Sequence, residues 1–183
     1  FIGRGNTKNT KCCALSAIQL IDKSLYKSYL EPADLGARKD MQLAAYQAGV
    51  AFTRAYVGYV HALAHALGGQ YNVPHGLANA ILLPYVLEQF GRSVDKKLAI
   101  LSDSLTLCDK KASDKTKALT FIQYLKDLNR KLEIPDKFVN VYAEKDIPGL
   151  VAHADKEAHP LYPVPSFLDR DALANVYRRA LGL

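Results

Sequence analysis

Three of the five histidines of this chain, His61, His65 and His75, fall within 15 residues. His61 and His65 are four apart, so on a helix their rings lie one turn apart on one face. Their neighbours in Gly58-Tyr59-Val60-His61-Ala62-Leu63-Ala64-His65-Ala66-Leu67 are Ala, Leu and Val almost throughout, which predicts a buried face. Gly68-Gly69 reads as the stop of that helix. The turn that follows, ending in Pro74-His75-Gly76, is expected to fold the chain back and bring a third imidazole to the same pocket. Neutral imidazole is a good ligand for zinc and for ferrous iron, and a dry pocket sharpens the Lewis acid. Any one such histidine could be a hydrogen-bonded core residue. Three so close together, with a glycine pair and Pro-His-Gly around them, favour a metal or catalytic site. The zinc-protease pattern is excluded, because Ala62 and not Glu follows His61. A complete site usually needs a carboxylate as well. None lies in the cluster, and the nearest acids, Asp40 and Glu88, carry no ligand spacing. From the residues alone the site is incomplete.

The elements that must position these side chains read as helices. Residues 12–30 carry Leu15, Ile18, Ile21 and Leu25 as one apolar stripe, and Glu31-Pro32 ends the run. Asp34 is the expected N-cap of a second helix reaching about Ala55, whose Ala and Gly content suits close packing. A third helix covers 59–67, residues 70–74 form a loop, and a fourth helix runs over 76–90. Further helices are expected at 96–107, 113–132, 147–158 and 169–181. Residues 138–142 are the best candidate for a strand, and a short one. The fold class is all-α, with seven or eight helices in one compact domain over 1–183.

Composition narrows the function classes. At 183 residues the prior is a single domain, and 49% apolar with 23% charged residues is ordinary globular composition. No apolar run reaches 18 residues, which excludes a membrane-spanning helix. The net charge of +6 is scattered in pairs such as Lys96-Lys97 and Arg178-Arg179, so it reads as a solvated surface and not as a nucleic-acid groove. Cys12, Cys13 and Cys108 show no CxxC spacing and read as reduced, buried, apolar residues of a cytoplasmic protein. The chain opens Phe1-Ile2-Gly3-Arg4 with no initiator Met or signal pattern, so it is expected to begin inside a longer polypeptide.

The run GYVHALAHALGGQYNVPHGLANAILLP over 58–84 strongly resembles the signature of iron-containing (group III) alcohol dehydrogenases. AAYQAGVAFTRAY over 44–56 and residues 13–21 resemble the same family, and HPLYPVPSF over 159–167 does so loosely. The resemblance covers essentially the whole chain. It implies the C-terminal helical, metal-binding domain of these dehydroquinate synthase-like enzymes, with the N-terminal dinucleotide-binding domain absent. It also implies that His61 and His75 are metal ligands, and that His65 is a cleft histidine that relays a proton or orders the substrate. Two further ligands, an Asp and a His in an Asp-x-x-x-His element, are expected just upstream of Phe1. The implied cofactors are a divalent metal, Fe2+ or Zn2+, and NAD or NADP bound mainly by the missing domain. The implied substrate is a small alcohol or aldehyde, with no nucleic acid or membrane partner and with homo-oligomers possible. By the same resemblance, Gly68, Gly69 and Gly76 would shape the turn that aims His75, and Phe52, Tyr56 and the 163–165 loop are weaker guesses for cleft walls.

The reading is therefore the metal-binding helical half of a nicotinamide-dependent alcohol dehydrogenase, inactive by itself. The alternative is a non-catalytic helical module, or a degenerate relative acting through protein interaction. The three intact histidines argue against decay, because core packing does not require them.

Overall fold

A computed structural model describes residues 1–183, which form eight α-helices, two short 3-10 turns and no strand. Residues 138–142 are irregular, so the strand expectation fails and the all-α expectation stands. No helix is long and apolar enough to cross a membrane. The chain gathers into two compact units, Phe1–Tyr56 with Asp95–Phe121, and Val57–Val94 with Ile122–Leu183.

The first unit is built on the hairpin of α1 (Lys8–Leu30) and α2 (Leu35–Ala55). Thr7 caps α1 in a reciprocal box with Thr10, and Asp34 caps α2 by accepting from the Ala37 amide at 2.7 Å, as its sequence position predicted. The expected stripe of Leu15, Ile18, Ile21 and Leu25 is only half-buried. The buried seam is instead a run of small residues seven apart: Thr10, Ala17 and Ser24 on α1, and Ala37, Ala44 and Ala51 on α2. Small side chains at the heptad seam let two helices approach closely, and the larger apolar residues then flank the contact. Ser24 donates to Asp40 Oδ2 at 2.7 Å, which ties the two helices near the seam. Short α5 (Asp95–Ser104) packs on α1, and Lys117, buried in the first turns of α6 (Asp114–Lys131), pairs with Asp103 at 2.7 Å. Cys12 is exposed and Cys13 and Cys108 are half-buried, against the expectation that all three are buried; all are free thiols. Phe52 and Tyr56 are exposed.

The second unit holds the histidines. Its core is a ring of four helices in which α3 (Tyr59–Tyr71) packs on α4 (His75–Phe90) and α7 (Ile147–Ala158), and α8 (Arg170–Leu181) closes the ring against α4 and α7. Tyr59, Ala62, Leu63, Ala64 and Leu67 are essentially without solvent contact, so α3 is buried on every face except the one bearing its histidines. Two buried tyrosines fasten it. Tyr177 of α8 donates to the Leu63 carbonyl at 2.8 Å, and the Tyr59 hydroxyl accepts from the Leu168 amide at 3.0 Å.

One feature of this unit departs from the sequence reading. Gly68 and Gly69 do not stop α3, which runs on to Tyr71 and ends at Asn72 in the left-handed conformation (φ 55°), whose amide bonds back to Gly68. A glycine costs a helix about 1 kcal/mol without breaking it, and the packing of α3 outweighs that. Pro84 stands inside α4, where it leaves the Ala80 carbonyl without its usual amide donor. The Asn129 side chain of α6 supplies the missing bond at 2.8 Å, so the helix continues.

Candidate functional site

The turn from α3 to α4 is three residues long, Asn72, Val73 and Pro74. The left-handed Asn72 reverses the chain, and Pro74 sets the start of α4. His75 is thereby the first residue of α4 and not a loop residue. Gly69 and Gly76 have open space where a side chain would stand, and Gly68 has only an ordinary contact with the Val73 carbonyl. The expectation that these glycines shape the turn therefore gives way to Asn72 and Pro74.

The turn brings the three rings together. Ring centroids lie 5.2 Å apart for His61 and His75, 5.1 Å for His65 and His75, and 5.8 Å for His61 and His65. The face is less buried than the flanking residues predicted. His61 is half-buried, while the side chain of His65 is 44% exposed. Burial pushes the His61 imidazole below its usual value, and repulsion from His75 and His65 adds to this. A ring so placed is neutral at pH 7, the form that can ligate a metal. Asn79, one turn along α4, donates to the His75 carbonyl at 2.8 Å and lies 3.1 Å from its Nε2. Its own Oδ1 is buried without a donor.

The carboxylate that the sequence did not reveal comes from α7. Glu157 Oε1 lies 2.8 Å from His65 Nδ1, and Tyr162 donates to the same oxygen at 2.6 Å. Glu157 is 92 residues from His65 along the chain, so no local spacing could have paired them. A hollow of about 360 Å³ opens here, lined by His65, Ala66, His153, Lys156 and Glu157. His153 is exposed. His159 is committed elsewhere, with Nδ1 on Asp155 and Nε2 on the Tyr59 hydroxyl, each at 2.6 Å. Glu88 is also engaged, pairing with Lys126 at 2.5 Å and with Arg179.

The donor chemistry fits a divalent ion of borderline softness: adjacent imidazoles, one held neutral, beside an orphaned buried acceptor. The set is partial, because no group of three or more His, Cys, Asp and Glu side chains is disposed to hold a metal ion.

A family model described as "Fe-containing alcohol dehydrogenase family, C-terminal" matches residues 1–181. This chain belongs to the iron-containing alcohol dehydrogenase family. It is 31% identical to the 1,3-propanediol dehydrogenase of Citrobacter freundii over 181 residues, 98% of this chain and 46% of that protein. It is 50% identical to alcohol dehydrogenase 4 of Saccharomyces cerevisiae over 88 residues, 48% of this chain and 23% of that one. Among solved structures, a 1,3-propanediol oxidoreductase superposes with a TM-score of 0.93 at 31% identity, over 98% of this chain and 47% of its own. The alcohol dehydrogenase of Oenococcus oeni gives 0.92 at 29% identity, with the same coverage. The chain thus spans less than half the length of the curated relatives it matches. In family terms it corresponds to the C-terminal helical domain of iron-containing alcohol dehydrogenases.

Proposed function

We infer that this chain is the metal-binding helical half of a cytoplasmic, nicotinamide-dependent alcohol dehydrogenase that interconverts a small alcohol and its aldehyde or ketone. The observation that carries the reading is the convergence of His61, His65 and His75 from α3 and α4, inside a chain that matches the family end to end. His61 and His75 would hold the ion through neutral imidazole nitrogens. The remaining ligands and the dinucleotide site would come from the part of the relatives that this chain does not span. When bound, a divalent ion supplies Lewis acidity at the alcohol oxygen, and the nicotinamide accepts the hydride. This chain's own task is to orient and to move a proton. His65, an exposed ring whose Nδ1 is bonded to Glu157 and whose Nε2 is uncommitted, stands where a substrate hydroxyl can give up its proton. The three free thiols agree with a reducing compartment.

The test is an NAD(P)-linked alcohol oxidation assay on the polypeptide that carries this sequence in its source cells, supplied with Fe2+ or Zn2+. His61→Ala and His75→Ala should each lower kcat/KM by about 100-fold or more, the scale seen when a group that sets a metal's geometry is lost. Residues 1–183 alone should give no turnover. Hydride transfer by the 183-residue chain without a second polypeptide would overturn the reading.

A further inference from the structure

We propose that Glu157 is the positioning residue of His65: its carboxylate accepts the Nδ1 proton, fixes the ring as the Nδ1–H tautomer and leaves Nε2 as a bare acceptor facing the substrate. The proposal deepens the dehydrogenase reading above, and rests on it only for the use to which Nε2 is put.

An ionised carboxylate can only accept, so the proton in the 2.8 Å contact between His65 Nδ1 and Glu157 Oε1 must sit on the ring. A neutral imidazole carries one proton, and the other nitrogen then has a lone pair and no hydrogen. The carboxylate is itself braced. The Tyr162 hydroxyl donates to the same Oε1 at 2.6 Å. Burial, with the bond to Glu157 next, pushes the Tyr162 phenol up to about 12, so it stays protonated and remains a donor across the neutral range. Tyr162 is tied in turn to the end of α7, its amide bonding to the Ala158 carbonyl at 2.9 Å. Tyr162 and His65 therefore both donate to the same Glu157 oxygen, and the two bonds together fix the carboxylate.

His159 shows what this device looks like when it is purely structural. Asp155, half a turn before Glu157 on α7, takes the His159 Nδ1 proton at 2.6 Å, and the Tyr59 hydroxyl occupies Nε2. Both histidines thus receive a carboxylate from the last turn of α7. His159 has both nitrogens engaged, whereas His65 keeps Nε2 uncommitted, on a ring that lines the hollow with Glu157 and His153. A second nitrogen left uncommitted beside two other imidazoles is a poor way to stabilise a core, and a good way to present an acceptor.

The experiment reads the tautomer directly and needs neither metal nor nicotinamide. Long-range proton–nitrogen correlation spectra of the nitrogen-15-labelled chain would be recorded in metal-free buffer at about pH 8.5, where imidazole is neutral. His65 is expected as the Nδ1–H tautomer in roughly tenfold excess, the population that a charge-assisted hydrogen bond supports. Glu157→Leu should return it to predominantly Nε2–H. Glu157→Gln, whose amide oxygen still accepts, should keep the Nδ1–H form, and Tyr162→Phe should reduce the excess without abolishing it. His159 is the internal reference, since Asp155 holds it in every variant. If Glu157→Leu loses the His159 pattern and has unfolded, the wild-type tautomer and the Gln and Phe variants still decide the matter. His65 found as Nε2–H in the wild type, or indifferent to Glu157→Leu in a folded chain, overturns the proposal. Either result leaves the dehydrogenase reading to its own assay, so failure of one is distinguishable from failure of the other.

Discussion

Asp155 carries a load that acid should expose. It accepts from Arg170 Nε at 2.7 Å and from His159 Nδ1 at 2.6 Å, and these bonds, Arg170 first, hold its carboxyl below the usual carboxylate range against the opposing effect of burial. A carboxylate with a depressed folded-state pKa adds stability that is present above its unfolded value and is lost as pH falls through the folded value. The urea midpoint of the chain should therefore drop as pH falls below about 5, and Asp155→Asn should flatten that slope while lowering the midpoint at pH 7. An unchanged slope in the variant would show that other carboxylates carry the acid sensitivity. At this scale the histidines were legible, because i,i+4 spacing and the Pro-His-Gly turn are local features. Glu157 was not, because only the packing of α3 on α7 pairs it with His65. Nor was the exposure of His65, because flanking Ala and Leu report on the core-facing side of α3 and not on the side the ring faces.

The helices themselves follow from capping and periodicity, and two of them carry their own tests. Asn129 replaces the amide that Pro84 lacks, so Asn129→Ala should leave the Ala80 carbonyl without a donor and cost about 1–3 kcal/mol by chemical denaturation. A cost near zero would mean that solvent satisfies that carbonyl. Gly69 lies inside α3 with open space at its missing side chain, so Gly69→Ala should raise stability by about 0.5–1 kcal/mol. If it destabilises instead, α3 is distorted at the glycine pair. The glycine pair is also where the sequence misled. It reads as an ordinary helix stop, and the packing of α3 overrides it, whereas the proline lies inside a helix expected over 76–90. The same holds for the α1–α2 hairpin. Its large apolar stripe drew attention, while the close approach of two helices buried Thr10, Ala17, Ser24 and their alanine counterparts.

Across the whole chain, the fold class was legible because helical periodicity runs from end to end and the 58–84 run resembles one family. The division into two compact units was not, since contacts between distant segments define it. The chain corresponds to under half of the curated relatives it matches, and the histidine cluster lies wholly within its second unit. The most direct test of a partial metal site at His61 and His75 is calorimetric titration of the purified chain with Zn2+ at pH 7.5. Weak, single-site binding is expected, lost in His61→Ala and in His75→Ala and kept in His153→Ala. Binding as tight as a complete four-ligand site, or binding that survives both histidine substitutions, would contradict it.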